Sequence, residues 1–138
     1  MRFPYRTAPG PGGSVLYYPF IPIRIGGARG PATRYFEAPV DSGAADCMFQ
    51  ASLASALGIE LAAGTPSART GIGGRSDVWV HPISLFVSEH VLHINAAFSD
   101  TLPVAGLLGR SGFFEHFKIT FDPASDPPGL ELERVYKA

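Results

Sequence analysis

The residue of greatest chemical interest is Asp41, which follows a short apolar run and precedes Ser42, Gly43 and Ala44. A hydroxyl and two small residues after the acid let backbone groups crowd its carboxylate in a tight loop. A carboxylate exposed in such a loop can accept or donate a proton as a general base or acid. An Asp-Ser-Gly triplet alone is more often an ordinary turn, so a second signal is needed before chemistry is assigned.

That second signal is the segment Leu107-Leu108-Gly109-Arg110, in which glycine ends an apolar run. It lies about 70 residues after Asp41, a separation that lets a small β-barrel bring a second strand beneath the first loop. The presence of both segments in one chain favours a functional site over an isolated turn.

Other chemistries fit the sequence less well. Cys47 could act as a thiol nucleophile with a histidine as base, but a lone cysteine is more often a small buried apolar residue. His90 and His93 are three residues apart, so on a strand they point to opposite faces and make a poor metal pair. The segment Gly71-Ile72-Gly73-Gly74 is not followed by Lys-Ser or Lys-Thr, as a phosphate loop would be. We therefore expect no metal and no cofactor.

Short strands must position these residues, because 16 glycines and 13 prolines punctuate brief apolar runs. The predicted fold class is mostly β. The expected strands cover residues 15–25, interrupted by Pro19 and Pro22, then 34–40, 67–70, 78–80, 83–87, 91–97, 104–110, 117–121 and 130–136, with glycine-rich turns at 26–30 and 71–74.

One helix and one loose segment complete the expected organisation. Phe49, Leu53 and Leu57 repeat every four residues and Gly58 follows them, which predicts a helix over 49–57. Residues 1–13 hold three prolines, three glycines and few apolar side chains, so we expect a flexible N-terminal arm. Residues 14–138 are then expected to form a single domain.

The composition disfavours several partners and compartments. A net charge of -1, with acidic and basic residues interspersed, offers no basic stripe for nucleic acid or anionic lipid. The apolar runs are shorter than a membrane-spanning helix, and the N-terminus lacks the apolar centre of a signal peptide. A single cysteine suits a reducing compartment. We expect a cytoplasmic protein.

The order of these motifs resembles the retropepsin-like (retroviral-type) aspartic peptidases and their cellular and bacterial relatives. The resemblance covers about residues 15 to 122 and rests on the Asp-Ser-Gly-Ala loop, the glycine-rich turn and Leu-Leu-Gly-Arg. It implies a small closed β-barrel with one or two short helices, a homodimer and a peptide or protein substrate. The C-terminal stretch Leu130 to Tyr136 is our expectation for the sheet that interlocks the dimer.

The resemblance also implies a role for each matched residue. Asp41 matches the catalytic aspartate, Ser42 the hydroxyl that ties the two active loops together, and Gly43 a small residue lining the channel. The remaining matches are substrate contacts at Ala44, Ala45, Asp46 and, in the flap, Ile72, Gly73 and Gly74, and structural support at Leu107, Leu108, Gly109 and Arg110.

One position departs from the viral pattern. In viral members the second residue after the motif glycine is an aspartate that pairs with the arginine matched here by Arg110. This chain has Ala45 at that position and the acid next, at Asp46. The ion pair is therefore expected to be rewired or absent.

Peptide hydrolysis without a metal needs two carboxyl groups, one to take a proton from water and one to donate a proton to the carbonyl. The chain has a single Asp-Ser-Gly, so a two-fold axis must place Asp41 beside its own copy. Two alternatives stay open: a retropepsin-like domain that only dimerises or binds peptide, and an unrelated β-barrel in which the triplet is a turn.

Overall fold

Thirteen strands and three short 3₁₀-helices make up the chain in a computed structural model that describes residues 1–71 and 73–136. The mostly β class is therefore confirmed. The strands are β1 (Arg2–Pro4), β2 (Arg6–Pro9), β3 (Val15–Tyr18), β4 (Phe20–Gly27), β5 (Gly30–Pro31), β6 (Phe36–Pro39), β7 (Met48–Gln50), β8 (Thr65–Gly71), β9 (Gly74–Val87), β10 (His90–Ser99), β11 (Gly106–Leu107), β12 (Phe117–Asp122) and β13 (Gly129–Arg134). The 3₁₀-helices are Pro11–Gly13, Ala51–Ala54 and Leu61–Ala63.

The largest sheet has eight strands, in the order β11-β7-β10-β9-β4-β5, with β6 also paired to β4 and β8 also paired to β9. The hairpins β8–β9 and β9–β10 and the two strands on either side of Pro19 agree with the sequence prediction. The ladders among the described residues leave this sheet open between β6 and β11, where only the bridge Val40 to Leu108 crosses. The predicted closed barrel is therefore not found, because β11 is only two residues long.

Alternation along β4 builds the centre of the core. Ile21, Ile23 and Ile25 are fully buried, whereas Pro22 and Arg24 between them lie on the other face. Phe49 and Phe98 from the large sheet pack near them, with ring centroids 6.0 Å apart. Other buried members of the same cluster are Leu85, Val87, Leu92, Leu108, Phe113, Phe117, Leu130 and Leu132.

The predicted flexible arm is paired to the rest of the chain instead. β1 pairs antiparallel with β13, and β2 pairs antiparallel with β3. The Met1 carbonyl accepts a hydrogen bond from the Leu132 amide at 2.8 Å. The prediction considered only side-chain burial, but backbone hydrogen bonds hold this segment, from β1 to the distant strand β13 and from β2 to its neighbour β3.

The predicted helix over 49–57 is also wrong. Phe49 belongs to strand β7, and only Ala51–Ala54 forms a 3₁₀-helix, which the Gln50 side chain caps by accepting from the Ser52 amide at 2.6 Å. Leu53 and Leu57 still pack against the core. The spacing of four residues therefore predicted correctly which side chains are buried, but not the secondary structure that carries them. No helix among the described residues is long and apolar enough to cross a membrane.

The C-terminal strand β13 is the middle strand of a three-stranded sheet, in the order β1-β13-β12. Both of its edges are occupied by strands of the same chain. This corrects the expectation that residues 130–136 interlock the dimer, because a strand with two neighbours has no free edge for a third.

Candidate active site

Three backbone hydrogen bonds fix the start of the loop that carries Asp41. The amides of Val40 and Asp41 donate to the carbonyls of Pro19 and Leu108, each at 2.9 Å, and the Leu108 amide donates to the Pro39 carbonyl at 2.9 Å. The two predicted motif segments therefore lie side by side, with β4 on the other flank. Backbone hydrogen bonds therefore hold Asp41 in place, although the residue lies in a loop.

The Asp41 carboxylate is exposed, and the loop folds back toward it. Its Oδ1 atom accepts from the Gly43 amide at 2.8 Å, and its carbonyl accepts from the Ala44 amide at 3.2 Å. A Cβ atom at position 43 would lie 3.2 Å from Oδ1, which explains why a residue without a side chain suits this position. The arrangement holds one carboxylate oriented at the surface of the molecule.

The Leu107 to Arg110 segment packs against the loop that carries Asp41. Leu108 is fully buried, and a Cβ atom at Gly109 would lie only 2.2 Å from the Asp46 carbonyl oxygen. The Arg110 amide donates to the Ala44 carbonyl at 3.0 Å, and its guanidinium donates to the Ser42 carbonyl at 3.3 Å. These contacts explain the apolar residue, the glycine and the arginine at positions 108 to 110.

Comparison with known proteins agrees with this geometry. The sequence model of the family described as aspartyl protease matches residues 21–111, which include both segments. The chain belongs to the aspartyl protease family. No curated protein matches the chain.

Among solved structures, one similar chain is the EIAV protease complexed with the inhibitor HBY-793. The TM-score is 0.52 at 17% sequence identity, and the match covers 67% of this chain and 82% of that one. The likeness is one of fold: this aspartyl protease shares its fold with the EIAV protease.

The acid displaced by one position in this aspartyl protease has a new partner. Asp46 receives hydrogen bonds from Nε and Nη2 of Arg69 at 3.0 and 2.7 Å, in a forked ion pair between the active loop and β8. The hydrogen bond to Asp46 raises the pKa of Arg69 above its ordinary value. The ion pair is thus rewired, with Arg69 in place of Arg110.

Sequence reasoning did not single out Arg69. A signal was available, because an acid displaced from its usual partner needs another cation if its side chain is buried. The structure shows that the Asp46 side chain is only 14% exposed. The strand predicted over 67–70 contained that cation, but which side of β8 would face the loop was not readable from its sequence.

The glycine-rich turn joins β8 and β9 in the predicted hairpin. Gly71 pairs with Gly74, which adopts a φ of 100° that only glycine accepts readily. Gly73 lies in the turn, and Ile72 lies outside the described residues. The strands of this hairpin line a cleft of about 420 Å³ whose walls are Pro66, Ser67, Ala68, Arg75, Asp77, Val78 and Trp79.

Cys47 and the histidines form no second catalytic group. Cys47 is fully buried, and burial raises the pKa of its thiol from 9.0 to about 12. His81 contacts the Leu61 carbonyl at 2.8 Å, and His93 contacts the Ser84 hydroxyl at 3.2 Å. The described residues contain no cluster of three or more His, Cys, Asp or Glu side chains suited to a metal ion.

Proposed function

We propose that this chain is an aspartic endopeptidase whose catalytic pair consists of Asp41 from each of two copies. The observation that carries the proposal is the exposed Asp41 carboxylate on a loop fixed by Leu108, within a chain that belongs to the aspartyl protease family. One such carboxylate per chain requires a two-fold axis to complete the pair.

Two carboxyl groups about 3 Å apart cannot both be ionised, so they share one proton. The ionised member takes a proton from water, and the resulting nucleophile attacks the scissile carbonyl carbon. The protonated member donates to the carbonyl oxygen, and the tetrahedral intermediate then collapses with proton transfer to the leaving amine. Because one carboxyl group must stay protonated, cleavage is favoured by acidic conditions.

We infer the substrate class from the aspartyl protease family to which the chain belongs. An extended peptide can lie between the β8–β9 hairpin and the Asp41 loop, held by main-chain hydrogen bonds with alternate side chains in pockets. The small side chains of Ala44 and Ala45 leave room for a peptide beside Asp41. Asp46 adds no unpaired negative charge, because it forms an ion pair with Arg69.

The test is the variant Asp41→Asn, assayed on an unstructured protein substrate across acidic to neutral pH. It keeps the shape of the side chain but removes the shared proton, so we expect the fold to persist and cleavage to fall at least about a thousandfold. The matched control is Asp100→Asn, an exposed aspartate outside the two motif segments, which should cleave like the wild type. Cleavage by Asp41→Asn would refute the mechanism, whereas substrate binding without cleavage by the wild type would favour a binding domain.

A further inference from the structure

The hairpin formed by β2 and β3 exposes an unusual amount of apolar surface. All four residues of β3 are large and apolar, and all four are exposed: Val15 by 52%, Leu16 by 40%, Tyr17 by 49% and Tyr18 by 38%. Single exposed apolar residues are ordinary, but four consecutive ones on a strand mark an interaction surface.

This hairpin forms a sheet of its own. Arg6 to Pro9 pair with Val15 to Tyr18, and the described strands give it no third member. A lone two-stranded hairpin is only marginally stable in water, because it buries little surface and one edge of each strand is open. Another surface is needed to cover it.

The two faces of the hairpin are not equivalent. The face with Leu16 and Tyr18 turns toward the body of the chain, since the Tyr18 ring lies 5.6 Å from that of Phe20 and Arg6, opposite Tyr18, lies 3.8 Å from Glu37. The other face carries the two most exposed side chains of β3, Val15 and Tyr17, with Pro9 and Thr7 across from them. Those four residues are here called the free face.

The hairpin is rooted at the catalytic loop. The residue after β3 is Pro19, whose carbonyl accepts from the amide of Val40, the residue before Asp41. Phe20 is the register partner of Pro39. The base of the hairpin therefore lies beside the strand that leads to Asp41.

We propose that the free face docks onto a second copy of this chain, so that each hairpin covers its partner next to the catalytic pair. This inference rests on the proposed dimer and adds the surface that holds it together. β13 itself offers no edge for a second copy, because β1 and β12 flank it on both sides. In an isologous contact the free face of each copy takes part, so a substitution on it is present twice in the dimer.

The test measures the dimer dissociation constant of the full chain by sedimentation equilibrium. We expect Tyr17→Ser to raise the constant at least about tenfold, and Val15→Ser with Tyr17→Ser to raise it further. Val91→Ser is the matched control, since Val91 is also 49% exposed but lies at the far end of β10 from β7. It should leave the constant unchanged.

A second measurement on the wild type needs no variant. Amide hydrogen exchange of residues 15–18, recorded above and below the dissociation constant, should slow when the dimer forms. A wild-type dimer with unaltered constants in both β3 variants, or with exchange at 15–18 independent of concentration, would overturn the inference while leaving the proposed catalytic pair intact. A wild type that is active as a monomer would overturn both.

Discussion

At the scale of single residues, burial determines what Cys47 can do. Its thiol pKa of about 12 keeps it protonated in the folded state, whereas the unfolded thiol ionises near 9.0. The stability that comes from the buried neutral thiol is thus complete below pH 9 and is lost as the pH rises toward 12. The expected slope of the unfolding free energy over that window is about 1.4 kcal/mol per pH unit. Urea titrations of wild type and Cys47→Ala measure it, and an equally steep loss in the variant would assign it to other groups.

A second residue-scale prediction concerns Gly109, which is packed against backbone rather than against a movable side chain. A methyl group there would lie 2.2 Å from the Asp46 carbonyl oxygen and 2.9 Å from that of Ala44. We expect Gly109→Ala to lower the unfolding free energy by about 2 kcal/mol or more, because the loop and its support must separate. Gly27→Ala is the control, since a Cβ atom there meets nothing within 4 Å and φ lies outside the left-handed region. Equal stability of the two variants would contradict the packing argument.

At the scale of elements, the Asp46 to Arg69 ion pair joins the segment that follows Asp41 to β8, the first strand of the β8–β9 hairpin. Arg69→Met leaves the carboxylate of Asp46 without its forked partner in a site where that side chain is only 14% exposed. We expect a loss of about 1 to 3 kcal/mol in unfolding free energy.

A double-mutant cycle with Asp46→Asn isolates that pair. The two losses should not add, because each variant removes the same interaction. The control is Arg75→Met, whose ion pair with Asp77 spans 3.8 Å between side chains that are 73% and 80% exposed, so its loss should stay within about 0.5 kcal/mol. Additive losses at positions 46 and 69 would show that the contact does not stabilise the loop.

The same scale shows what the sequence could and could not predict. The hairpins followed from alternation and glycine-rich turns, and the split at Pro19 followed from its missing amide. The spacing of Phe49, Leu53 and Leu57 fitted a helix as well as a strand followed by a tight turn, because both bury the same side chains. The pairing of β1 with β13 joins the two ends of the chain, and local pattern carries no information on such contacts.

The sequence likewise predicted one part of the candidate site and not the other. Asp41 and the Leu107 to Arg110 segment were readable because each is a contiguous motif, and the structure places the two side by side. The partner of Asp46 was not readable, since it depends on which face of β8 meets the loop. The closed barrel was expected from resemblance, whereas the ladders leave a gap that one bridge crosses beside Asp41.

At the scale of the whole molecule, the proposed dimer means that two chains must associate before either can cleave a substrate. If each active site needs Asp41 from both copies, a mixed dimer with one Asp41→Asn chain is inactive. Adding an equal amount of that variant to a fixed amount of wild type, at concentrations well above the dissociation constant, leaves about half of the wild-type chains in active pairs. A ninefold excess leaves about one tenth.

Cleavage rates at saturating substrate, after time for exchange of subunits, measure this inhibition. Saturation is needed because dimers of the variant also bind peptide, and albumin in place of the variant controls for dilution and adsorption. The rate should be proportional to the fraction of wild-type chains in the mixture. The reason is that the partner of a wild-type chain is also wild type with a probability equal to that fraction. A rate that is independent of added variant would mean that one chain contains a complete active site, and Asp41 would then need a second acid from its own sequence.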